Sequence, residues 1–260
     1  MILKDRLECL YSTYNKKEYV DPDPLIFLYD YSDKKNREIA GFIAACFAYG
    51  RVEMIMKTVA HILGKLEPSP FEYLMGRTKK DMANDFKGFR YRFASEAHLT
   101  NLLWGIREVL NRFISLENCF YAGWTPSDET VLPGLAFFFD QMGRGREVGH
   151  LFADPQKKSA CKRSHLFLRW MVRKDRVDPG GWDDISPSQL IIPLDTHMYR
   201  TGCMLEFTKR KNMDLKTALE ITQGFRKILR QDPVKYDFCL TRFGIRKGLS
   251  MDELRTVVCT

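Results

Sequence analysis

From Asn36 onward, Ile39, Phe42, Ile43, Cys46 and Phe47 recur at steps of three and four. After Tyr49-Gly50 the series Val52, Ile55, Met56, Val59, Ile62 and Leu63 does the same. One apolar stripe per helical turn is what a half-buried helix needs, so these stretches predict a helix pair joined by a tight glycine turn. Upstream, Asp21-Pro22-Asp23-Pro24 predicts a turn feeding a short helix, and Ser32-Asp33 supplies capping oxygens for the next one. A polar stretch around Lys79 to Lys87 reads as a loop. From Ser95, the positions Leu99, Leu102, Leu103, Ile106, Val109, Leu110 and Phe113 predict a long amphipathic helix. Pro126-Ser127-Asp128 predicts the opening of another, with Leu135, Phe138 and Phe139 on its apolar side. Gly143, Gly145 and Gly149 fit a turning loop; a dinucleotide loop needs closer spacing and a preceding strand. The C-terminal part predicts a helix from Ser159 to Arg173, a loop through Pro179-Gly180-Gly181 and Ser186-Pro187, and helices from Asp195, from Asp214 to Arg230 and from Val234. No stretch alternates as a half-buried strand does. The expected fold is all-α, with residues 1–260 forming a single two-lobed helical domain.

Composition narrows this picture. With 45% hydrophobic and 13% aromatic residues the chain can bury a sizeable core, which excludes a disordered class. The longest apolar stretch, Ile39 to Tyr49, is too short to span a bilayer. Lys4, Asp5, Arg6 and Glu8 interrupt the start before a signal-peptide core can form, so a cytoplasmic location is expected and membrane association is not. Seven scattered cysteines without a CxxC pair read as reduced thiols, and no ligand spacing suggests a metal or another cofactor. The net charge of +8 favours an anionic partner. That charge is concentrated: between Asp154 and Asp178, eight basic residues face three acids, which places +5 of it in one short segment.

Within that segment Lys162, Arg169 and Arg173 are spaced to share one helix face, while Phe167 and Trp170 fall on another that is buried. A charge run of this kind, taken alone, is most simply a solvated face. Downstream, Ile191-Ile192-Pro193-Leu194-Asp195-Thr196-His197 sets an extended approach to a helix start, and Asp195, taken alone, is most simply its N-cap.

Together, a basic, lysine-bearing helix, a loop, and then Pro-x-Asp-x-His at a helix start resemble the helix-hairpin-helix DNA glycosylases. The branch most similar is the one that excises 8-oxoguanine, with its archaeal relatives. Ala44 to Arg51 resembles the helix and loop that fill the gap left by the extruded base, Tyr91-Arg92-Phe93 fits ahead of the long helix, and Tyr236 to Gly244 resembles the closing helix. Over its whole length the chain is also similar to a family of conserved bacterial proteins without an assigned activity. The resemblance implies a helix-hairpin-helix glycosylase-like fold with its hairpin and catalytic region at about residues 150–200. It implies Lys162 as nucleophile and Asp195 as catalytic carboxylate, acting on damaged double-stranded DNA with oxidised purines as the suggested target. Pro155-Gln156-Lys157-Lys158-Ser159 occupies the place of a glycine-rich phosphate turn, so phosphate contacts are expected from Lys157 and Lys158, with Arg163, Arg169 and Arg200 also binding nucleic acid and His197 in a structural or substrate-contacting role.

Chemically, breaking an N-glycosidic bond builds positive charge on the sugar, which a carboxylate stabilises while a neutral amine captures the anomeric carbon. The cations Arg163 and Arg169 are expected to disfavour a further positive charge on the lysine. Tyr49, Tyr91 or Phe93 is expected to wedge into the base stack or sandwich a flipped base, and Tyr49 and Arg51 stand in the base-gap loop as nucleic-acid-binding residues. The alternative expectation is a non-catalytic DNA- or RNA-binding protein of the same fold.

Overall fold

The computed structural model describes residues 2–157 and 159–259. It is mostly helical. In chain order the elements are α1 (Leu3–Tyr14), α2 (Lys34–Phe47), α3 (Val52–Leu63), α4 (Pro70–Gly76), α5 (Lys79–Asp85), the strands β1 (Arg90–Tyr91) and β2 (Ala94–Ser95), α6 (Glu96–Phe113), α7 (Leu116–Tyr121) and α8 (Leu132–Gly143). They continue with α9 (Lys162–Val172), α10 (Thr196–Met204), α11 (Leu215–Ile228), α12 (Asp237–Ile245) and α13 (Met251–Cys259). The chain divides into two compact units: Pro22–Gln156, and Met1–Asp21 together with Lys157–Thr260.

The Pro22–Gln156 unit is built around α2, which is buried from Glu38 to Phe47 and packs against the 3₁₀ turn Pro24–Asp30, α3, α4 and α7. Such a helix has no solvent face to reserve for polar residues, which is why Ile39 to Phe47 carries none. Its one buried charge, Glu38, caps α7 by accepting the Leu116 and Glu117 backbone N–H groups at 2.8 and 3.2 Å. Asp33 caps α2 and Ser95 caps α6, as the polar residues before each apolar run predict. The α2–α3 turn passes through Gly50 at φ +100°, where a side chain would meet Arg92 and the Tyr91 hydroxyl.

Several details differ from the sequence expectation. Lys79–Asp85 is a helix rather than a loop, started by a capping box in which Thr78 and Asp81 exchange hydrogen bonds. Pro126-Ser127-Asp128 forms a turn, and the helix expected there begins only at Leu132, with Pro133 in its first turn. A hairpin of two two-residue strands, too short to show alternation, precedes α6.

In the other unit, α12 packs against α1, α10 and α13, and α1 packs against α13. The Pro-Gly-Gly loop folds back on α9: Gly180 and Trp182 donate their N–H groups to Trp170 and Met171 carbonyls at 3.0 and 2.8 Å. These bonds satisfy carbonyls that the helix end leaves without partners. Trp182 then stacks edge-on against Phe167, with ring centroids 5.2 Å apart.

Candidate active site

Lys162 is the first residue of α9. The residue before it, Cys161, is in the left-handed region at φ 44°, a conformation in which glycine is more usual. Asp195 caps α10, and the cap divides the labour of its two oxygens. Oδ1 accepts the Met198 N–H at 2.8 Å, and Oδ2 lies 3.7 Å from the Lys162 ammonium. The lysine side chain is 35% exposed and the aspartate 18%, so the pair is reachable from solvent yet held. The extended approach Leu190–Leu194 that delivers Asp195 is buried, and it is pinned to α11 where Ile192 donates to the Thr222 hydroxyl at 3.0 Å. The simple capping role and the chemical role of Asp195 are therefore compatible.

Of the face expected to carry Lys162, Arg169 and Arg173 to solvent, Lys162 alone is reachable. Arg169 is 2% exposed and Arg173 4%, and both are enclosed by carboxylates. Arg169 pairs with Asp178 at 3.2 Å and with Asp237. Arg173 pairs with Asp232 and Asp175, each at 2.9 Å, and with Asp178. Tyr11 of α1 donates to Asp175 at 2.9 Å. Arg169 is thus corrected from a phosphate-binding residue to a structural one, because a buried cation in this setting is neutralised before any ligand arrives. For the same reason it adds no uncompensated charge beside Lys162. Sequence reasoning missed Asp175, Asp178, Asp232 and Asp237. The available signal was arginines inside a helix otherwise buried from Ser164 to Val172, followed at once by two aspartates.

Burial raises the Asp237 carboxyl to about 6; Arg169 opposes that rise and the nearby Asp195 charge adds to it. A carboxyl raised in the folded state binds its proton more tightly than the unfolded chain does, so its contribution is fully present at low pH and is lost as pH rises through 6. Relative to wild type, Asp237→Asn therefore gains stability between pH 4 and pH 6, by up to about 3 kcal/mol. Urea unfolding of both proteins at matched pH values measures this, and a difference that stays constant with pH contradicts it.

The remaining expected contacts scatter. Lys157 and Arg200 are exposed, Arg163 is half-buried, and Lys158 lies outside the described residues. His197 is half-buried; its ring lies against Gly244 of α12, with Nδ1 enclosed and without a hydrogen-bond partner. That is a packing role. In the Pro22–Gln156 unit, Arg51 is exposed, but Tyr49 and Tyr91 are tied together, each hydroxyl donating to the other's carbonyl. Neither is placed to enter a base stack; Phe93, at the hairpin tip, is 63% exposed and its ring lies 5.2 Å from that of His150. Among the described residues, no group of three or more His, Cys, Asp or Glu is placed to hold a metal ion, and no helix is long and apolar enough to cross a membrane.

Fold and site together define a mostly helical protein whose distinguishing chemical feature is an accessible amine–carboxylate pair at the starts of two helices. The chain belongs to the family described as Protein of unknown function (DUF2400), which matches residues 23–246. No curated protein and no solved structure matched it.

Proposed function

We propose that this protein is a DNA glycosylase with abasic-site lyase activity, of the helix-hairpin-helix kind, acting on damaged bases in duplex DNA, with oxidised purines as the favoured class. The observation that carries the reading is the 3.7 Å approach of Lys162 Nζ to Asp195 Oδ2, with both groups reachable from solvent. In this scheme Lys162 gives up a proton to water, and Asp195 stays ionised. Its lone pair then forms a bond to the anomeric carbon as the glycosidic bond breaks, and the bonding electrons leave with the base, which takes up a proton. The ionised Asp195 stabilises the positive charge that develops on the sugar. Opening of the sugar ring gives a Schiff base on Lys162, and loss of the C2′ proton expels the 3′ phosphate by β-elimination.

Borohydride trapping on duplexes carrying 8-oxoguanine or an abasic site tests this. Wild type forms a covalent crosslink and Lys162→Gln forms none; a crosslink that persists in Lys162→Gln removes the lysine from the mechanism. Asparagine caps a helix as well as aspartate does, so Asp195→Asn isolates the charge, and base release falls by about 10²–10³-fold. The second reading, a DNA- or RNA-binding protein without turnover, is favoured by the absence of glycine from the sequence of residues 155–159. It requires binding that Asp195→Asn leaves unchanged, with no crosslink from wild type.

A further inference from the structure

We infer that the loop between α10 and α11, residues 205–214, is a second phosphate-binding strap, flanking the lysine helix and gripping the backbone of duplex DNA. The inference rests on the reading that this site engages DNA and extends it to a segment that the basic run at residues 154–178 does not include. The first observation is placement. Asp214 pairs with Ser159 in an isolated antiparallel bridge, which lays the end of the loop along the turn leading into Lys162. On its other side the Tyr199 hydroxyl of α10 donates to the Arg210 carbonyl at 2.9 Å, next to the exposed Arg200.

The second observation is how the loop spends its charges. Arg210 is half-buried and already paired: it donates to the Thr217 hydroxyl at 3.0 Å and to Asp214 at 2.7 Å. The Thr208 hydroxyl donates to Glu220 of α11 at 2.6 Å. With its middle residue fixed to α11, the loop presents the residues on either side, Lys209 and Lys211, to solvent, and Lys216 is exposed one turn further on. A loop held by these hydrogen bonds loses little conformational freedom on binding, so its cations are pre-arranged rather than recruited. Exposed lysines on either side of an arginine already paired with Asp214 match a row of phosphates, which each lysine meets as a point charge.

The test measures binding of undamaged duplex DNA by fluorescence anisotropy across a salt series, in parallel with borohydride trapping. Each lost phosphate contact lowers the slope of log affinity against log salt by about 0.9. Lys209→Gln/Lys211→Gln therefore lowers the slope by about 2 and weakens binding roughly 10- to 60-fold at about 0.1 M salt. Lys209→Arg/Lys211→Arg keeps the wild-type slope. Lys227→Gln/Arg230→Gln removes the same charge from exposed positions at the far end of α11, about 18 Å along that helix, and leaves the slope unchanged. Wild-type binding with an unaltered slope in the Lys209→Gln/Lys211→Gln variant overturns the strap alone. A slope that falls as stated while wild type yields no crosslink removes the chemistry and keeps the strap. Wild type that does not bind duplex DNA, or a slope effect confined to structured RNA, overturns the strap as stated.

Discussion

Arg169→Met destabilises the unit containing α9 by about 3–5 kcal/mol, because it leaves Asp178 and Asp237 buried without the cation they share. A solvent-facing arginine on a charged helix would cost no more than about 0.5 kcal/mol when replaced, so the size of the effect separates the two placements. Methionine has similar length and bulk, which keeps the comparison on charge rather than on a cavity. Hydrogen exchange is the suitable readout. Amides of α9 and α12 lose protection in the variant, while those of α2 and α6, in the other unit, keep theirs. Adding Asp178→Asn and Asp237→Asn to Arg169→Met restores part of the loss, since the penalty comes from unpaired charge. An Arg169→Met protein within about 1 kcal/mol of wild type rules out the buried network.

Gly244→Ala is the second large effect. A Cβ there would lie 1.9 Å from Nδ1 of His197 and 2.4 Å from its Cγ, so the whole imidazole must swing away and not merely its tip. Overpacking of this kind costs about 1–3 kcal/mol. Because His197 sits two residues after Asp195, the same displacement loosens the cap that aims Oδ2 at Lys162. In a His197→Ala background the alanine at position 244 has room, and the cost falls to a few tenths of a kcal/mol. Thermal melts of the four proteins complete the cycle. Additive losses refute the contact.

The sequence expectations that survive are those in which a local pattern has one physical solution. A buried helix such as α2, a capped amphipathic helix such as α6, and an aspartate before a helix such as α10 are written in neighbouring residues, and the chain reads accordingly. The amine–carboxylate pair was legible only through a resemblance, because nothing local says that positions 162 and 195 approach one another. The error over Arg169 has a definite origin. Seven- and four-residue spacing assigns side chains to a face, but whether that face meets water or aspartates from remote segments depends on Asp232 and Asp237, some sixty residues away. Short elements escaped for a related reason. The helices α4, α5 and α7 have six or seven residues, too few for periodicity to rise above noise, and caps such as Thr78–Asp81 are their only local mark. For Lys209 and Lys211, charge counting along a window could not reveal that the loop returns to Ser159.

The interleaved chain path has a consequence for synthesis. Helix α1 leaves the ribosome before residues 22–156, yet its partners are α12 and α13; Lys235 and Tyr236 both bond to Glu8, and Arg6 reaches the Val258 carbonyl. Residues 22–156 form a contiguous unit that can complete itself as it emerges, while Leu7 and Leu10 on α1, which ends at Tyr14, wait uncovered until α12 begins at Asp237. At roughly 5–20 residues per second that interval lasts about 11–44 s, the period in which α1 most needs a chaperone.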